Sequence, residues 1–195
     1  MTFTVLTSSL DQLRRVAAGV PADQLDAPTP CSQWTVAQVL LHAAGDQRAW
    51  ASTVGAGSPP AYDPFAPPRR AAGDIGQLIT DAIDAAMTAW ASVDPAAETV
   101  PTPLPPVPAM TPELAAAACA LDAAIHAWDV AVATGQPSGL TGPLATQLDA
   151  AARITAEPLR GFAYAAALPA QPGDDPAAAL LRYLGRDPRW AASGH

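Results

Sequence analysis

Proline decides where this chain can be helical. Six prolines crowd positions 95–108, and Gly55 to Arg70 forms a second break rich in Gly and Pro. Proline has no amide donor and its ring clashes with the preceding turn, so neither stretch continues a helix. The segments between the breaks have helical periodicity. Leu6 to Gly19 carries Leu10, Leu13, Val16 and Ala17 on one face and stops at Gly19-Val20-Pro21. A second helix begins at Thr35, which forms a capping-box pattern with Gln38, and runs to about Trp50 or Val54. A third spans about Asp74 to Val93, with Ile75, Ile79, Ile83 and Trp90 on one face. Thr111 as N-cap and Pro112 in the first turn open the fourth, which Gly135-Gln136-Pro137 ends after Thr134. A shorter helix is predicted over about Pro143 to Ala156. The last is predicted over about Pro176 to Leu184, capped by Asp175 and stopped by Gly185.

There is no alternating β pattern of any length and no internal repeat. Four long amphipathic helices and two short ones predict an all-α chain. It is read as one domain over 1–195, with a four-helix bundle core over about 6–156 and an extension over 157–195. The break from Gly55 to Arg70 is long enough to run the length of a bundle, which permits an up-down-down-up arrangement.

Half of the 195 residues are hydrophobic, enough for a sizeable core, while only 14% are charged. The net charge of −8 repels phosphate backbones, which argues against nucleic acid as a partner. All ten basic residues are Arg. Cys31 and Cys119 are too few for a disulfide scaffold or a cysteine-only zinc site. The opening Met1-Thr2-Phe3-Thr4-Val5-Leu6 lacks the basic region and cleavage site of a signal peptide, and no stretch reads as a membrane span. The expectation is a soluble cytoplasmic protein, monomer or homodimer, that acts on a small molecule.

Three histidines exist, and each can be weighed. His195 is terminal and expected to be disordered. His42 shares the buried face of the second helix with Val39, Ala43, Asp46 and Trp50. On the fourth helix, Asp122, His126 and Asp129 fall on one stripe beside Ala118 and Ile125. Burying such groups is costly unless they are paired or bind metal. A carboxylate four residues before a His lets both side chains reach one ion, and a His from another helix makes three ligands. Imidazole and carboxylate suit divalent zinc, nickel, manganese or iron, and three protein ligands leave a position for water or substrate. Spacing alone leaves the alternative open, a buried His–Asp hydrogen bond. Asp129 reads as a ligand, a partner orienting an imidazole, or an acceptor for a neighbouring loop, with the last two favoured. Asp46 reads either as a partner of the site or as solvent-facing. Cys31 is expected to be an ordinary buried thiol, Arg69-Arg70 a solvated pair, and the five tryptophans core or pocket wall.

Three stretches resemble a known family. Pro28-Thr29-Pro30-Cys31-Ser32-Gln33-Trp34-Thr35-Val36 with Leu40-Leu41-His42 is similar to the opening of the second helix in actinobacterial DinB-like metal-binding proteins. These are relatives of the N-terminal domain of mycothiol-dependent maleylpyruvate isomerase. His126-Ala127-Trp128-Asp129-Val130-Ala131 with Ala133-Thr134-Gly135-Gln136-Pro137 resembles the family's fourth-helix motif. Leu184-Gly185-Arg186-Asp187-Pro188-Arg189-Trp190 resembles its C-terminal tail. The resemblance implies a DinB-like up-down-down-up bundle with a metal site at one end, held by His42, Asp122 and His126. In the isomerase the carboxylate is Glu; here Asp122 is one methylene shorter. The isomerase also carries a further domain after its bundle, so maleylpyruvate isomerisation itself is not expected of this chain.

The resemblance further implies a thiol-dependent transferase or isomerase, with zinc the favoured ion and mycothiol a candidate co-substrate. Asp129 and Asp46 are the candidates for orienting a ligand or moving a proton, and Tyr62 and Phe65 for walling the pocket. The alternatives are a metal-binding protein without turnover, and a bundle recruited as a cyclase or transferase in specialised metabolism.

Overall fold

The structure is a computed structural model, and it describes residues 3–55 and 57–192. His195, and Met1 and Thr2 of the opening, lie outside the described residues. The helices are α1 (Thr4–Ala18), α2 (Val36–Thr53), α3 (Ile75–Ala91), α4 (Pro112–Ala133), α5 (Gly142–Leu159) and α6 (Pro176–Tyr183). The proline-rich stretch before α4 closes on itself as a two-residue antiparallel pair. There β1 (Val100–Pro101) faces β2 (Ala109–Met110), with Val100 opposite Met110.

The helix starts follow the caps in the sequence. The Thr35 hydroxyl accepts from the Gln38 amide, and the Gln38 side chain accepts from the Thr35 amide, completing the capping box. At α4 and α6 the side chains of Thr111 and Asp175 accept from the amides of Leu114 and Ala178, each with Pro in the first turn. The fifth helix departs from expectation. It is 18 residues long, as long as α2, and it continues through Pro158. A proline in the last turn loses only one helical bond, and packing against α4 and α6 outweighs that loss.

Contacts between named residues give each helix its direction. The Gln136 side chain, just beyond α4, donates to the Val16 carbonyl near the end of α1, so these two helices run parallel. Trp50 and Trp90 meet near the ends of α2 and α3, which are therefore also parallel. Phe3 packs edge-on against Trp90, setting the start of α1 beside the end of α3. His42 near the start of α2 reaches His126 near the end of α4. The order is up-down-down-up, an all-α DinB-like bundle with α5 and α6 packed against its α4 side.

Most of α4 is buried, because α1, α2 and α5 all pack on it. Its alanines at 115, 116, 118, 120, 123, 124 and 127 allow that close approach from several sides. Among the described residues it is the one helix long and apolar enough to cross a membrane, and 89% of its apolar window is buried inside the protein.

Candidate metal centre

The start of α2 and the last turns of α4 meet at one end of the bundle, and they bring His42, Asp122 and His126 together. The ligand atoms of the three side chains all lie within 4.8 Å of one another. Asp122 Oδ1 is 3.3 Å from His42 Nε2 and 3.3 Å from His126 Nε2. Both imidazoles are held from behind. His42 Nδ1 lies 2.8 Å from the Pro64 carbonyl, and His126 Nδ1 lies 3.0 Å from Asp129 Oδ2. A carbonyl and an ionised carboxylate only accept, so each Nδ1 carries a hydrogen and each ring turns its Nε2 towards Asp122. Each Nε2 can meet the carboxylate through a proton, as in a buried His–Asp hydrogen bond, or share a cation with it. The donor set therefore fits a divalent ion.

Charges in the site follow from this crowding. Burial opposes charge on His126, but Asp122 outweighs it and pushes the pKa well above 6.5. Burial likewise opposes ionisation of Asp122, yet the two histidines hold its carboxyl below the usual range. Asp46 is buried beside Asp122. Burial and then the Asp122 charge push its pKa well above 3.8, favouring the acid form. So Asp46 faces its neighbouring carboxylate and not solvent.

Asp129 is fully buried, and it contacts both His126 and the turn after α6. It accepts from His126, and Arg186 grips it with two bonds, Nε to Oδ1 at 2.9 Å and Nη2 to Oδ2 at 2.8 Å. Burial would raise its pKa, but the Arg186 guanidinium holds the carboxyl well below the usual range. Arg186 arrives through a tight helix end. The Gly185 amide bonds to the Arg182 carbonyl and the Arg186 amide to Leu181, with Gly185 at φ +81°. A Cβ on Gly185 would stand 2.8 Å from the Ala165 side chain, so only glycine fits this turn.

Two sequence expectations change here. Cys31 is half-buried rather than in the core. It lines the cavity, with its Sγ 3.2 Å from Asp129 Oδ2 and 3.3 Å from Arg186 Nη2. The Thr29 hydroxyl, packed against the Cys31 and Trp34 carbonyls, shapes the loop that carries it there. Phe65 does wall the cavity, whereas Tyr62 points away and donates to the Leu41 carbonyl. Arg69 and Arg70 are exposed, as expected of a solvated pair. The cavity above the three donors measures about 390 Å³. Trp34, Phe65, Phe162 and Tyr164 line it together with Asp46 and Arg186. Sequence reasoning gave no role to Arg186, Phe162 or Tyr164, whose segments fold back on the bundle from the far end of the chain.

Residues 6–131 match the model of the mycothiol maleylpyruvate isomerase N-terminal domain. The chain belongs to this family. Its matched span contains Cys31, His42, Asp46, Asp122, His126 and Asp129, while Arg186 lies beyond it. Two similar proteins are uncharacterized ones from the CDC 1551 and H37Rv strains of Mycobacterium tuberculosis. Each is 32% identical over 185 residues, covering 92% of this chain and 94% of the relative. No solved structure matches the chain.

Proposed function

We propose that this protein is a metal-dependent enzyme acting on a small molecule, with a low-molecular-weight thiol such as mycothiol as co-substrate. One observation carries the reading. Three donors from two helices converge at a cavity, and the remaining nitrogen of each imidazole is already committed to a fixed acceptor. Such second contacts fix the tautomer and raise the basicity of a metal ligand. His42 and His126 hold the ion through Nε2, and Asp122 holds it through its carboxylate. Zinc is favoured, with nickel, manganese or iron suited to the same set. A bound divalent ion lowers the pKa of a thiol or water and so supplies an anionic nucleophile at neutral pH.

The chain's own residues supply the rest. Asp129, neutralised by Arg186, keeps His126 in the correct tautomer. Asp46, favoured in its acid form, adds no second negative charge beside Asp122. Trp34 and Phe65 pack against the His42 ring, at centroid distances of 4.8 and 5.9 Å, and keep water from that side. The cavity suits a transferase or isomerase of small molecules better than a metal that merely staples the bundle, because three ligands at an open space mark a reactive site. The proposal places the protein in the cytoplasm, as a monomer or homodimer, with neither nucleic acid nor membrane as partner.

The test is elemental analysis of protein purified without chelator from zinc- or nickel-supplemented medium, followed by assays of mycothiol conjugation to electrophiles. Stoichiometric metal with thiol consumption is expected. Metal-free protein would remove the reading, and bound metal without turnover would reduce it to a binding protein.

A further inference from the structure

The wall of the cavity carries information about what enters it. Among the described residues, Arg186 is the one Arg that lines it. That guanidinium is largely committed, with one of its five donors, on Nη1, left free. Two contacts go to Asp129, one to the Cys31 sulfur and one to the Leu184 carbonyl, so four of its donors are engaged. Its charge is matched by a carboxylate that is itself completely buried. Arg69 lines only a separate shallow depression beside Trp34. The two wall carboxyl groups, Asp46 and Asp122, supply no cation, and His126 is already matched by Asp122 at 3.3 Å. A divalent ion on the three donors keeps a single positive charge beyond what Asp122 neutralises. One anionic sulfur or hydroxide cancels it.

The apolar part of the wall is just as specific. A row of rings runs from the surface to the candidate ligand His42. Phe162 is 70% exposed at the mouth. It packs against Phe65 with ring centroids 4.9 Å apart and planes tilted by 45°, Phe65 stands 5.9 Å from His42, and Trp34 stands 4.8 Å from that imidazole. An exposed phenylalanine beside an open cavity is apolar surface that an apolar guest would cover. The neutral side chains of Ser32 and Gln33 add hydrogen-bonding capacity without charge.

We infer that the cavity takes an uncharged, flat apolar substrate, such as an aromatic electrophile, and turns away small dicarboxylates. The inference rests on the reading above, since it asks what reaches the same three donors. A second negative charge entering beside Asp122 would meet no cation that a carboxylate or the first anion has not already matched, and a buried unpaired charge is strongly unfavourable. A flat ring would instead lie against Phe162, Phe65 and Trp34, where stacked aromatic contacts stabilise beyond area burial.

A matched pair of probes separates charge from shape: dimethyl phthalate, a neutral diester, and phthalate, the dianion on the same ring. Calorimetric titration of zinc-loaded and metal-free protein should show the diester binding at least about tenfold more tightly than the dianion. Phe162→Ala changes an exposed side chain and should leave metal content intact while weakening the diester by about two- to tenfold. Phe162→Arg should narrow the gap by adding a cation at the mouth. Equal or tighter binding of phthalate to the wild type, or a diester affinity indifferent to Phe162→Ala, would overturn the inference. Failure to load zinc would instead remove the metal reading. The charge comparison on metal-free protein would still stand.

Discussion

Asp122 and Asp129 sit on the same helix, both contact His126, and the protein treats them in opposite ways. Asp129 is saturated. A guanidinium grips both oxygens, His126 donates to it, and none of it is exposed. Asp122 has two imidazole nitrogens before it and a second carboxylate beside it, and no Arg reaches it. Asp129 has a guanidinium built into the chain as its counter-charge, whereas Asp122, the carboxylate we propose as a metal ligand, has the two imidazoles before it instead. That difference makes Asp122 the better placed of the two to meet a cation.

The largest effect expected from breaking this contrast is on metal content. His42→Ala together with His126→Ala should abolish stoichiometric metal, since one carboxylate does not hold a divalent ion tightly. Metal retained by the double variant in elemental analysis would refute the ligand set. Next comes Arg186→Ala, which strands the buried Asp129 charge. It should cost about 3–5 kcal/mol in denaturant unfolding. Asp122→Asn should leave the fold near wild-type stability in the same experiment while weakening metal binding. If the two variants exchanged these phenotypes, the roles assigned to the two carboxylates would be reversed.

Asp129→Asn sharpens the comparison further. It keeps the size of the side chain but loosens its hold on His126, so metal stoichiometry should persist while affinity falls about 10–100-fold. Titration with a competing chelator measures this.

The smallest effects are those of pH. The Asp129 carboxyl is depressed below 3.8 in the folded protein, so its contribution to stability is fully present above 3.8. That contribution is lost only as pH falls through the lower folded value. Acid unfolding of Asp129→Asn should lack this component. For His126 the shift is upward from 6.5, so the metal-free protein holds that proton in a pH range where an ordinary histidine has lost it. Metal uptake must displace the proton. Affinity should therefore climb with pH from below 6.5 until the raised value is passed, and a flat profile would contradict the assignment.

Much of this architecture was legible in local sequence. Helix starts were readable because a cap is local chemistry. Thr35 with Gln38, Thr111 with Pro112, and Asp175 each satisfy amides within three residues of themselves. The juxtaposition of Asp122, His126 and Asp129 was readable because a helix fixes which side chains share a stripe. The length of α5 was not, because a proline near a helix end stops or continues it according to the neighbours that pack on the last turn.

The sequence by itself determined the rods, their order, and which residues on each are too polar to bury without a partner. Only the tertiary structure decided the partners. Arg186 meets Asp129 across 57 positions, and Cys31 joins them across 98. Phe162 reaches Phe65 only because the segment after α5 folds back over the mouth of the cavity. Periodicity and capping act over a few residues along the chain. Charge compensation and ring packing act over a few ångströms in space, and no local pattern records which distant residue will fill that space.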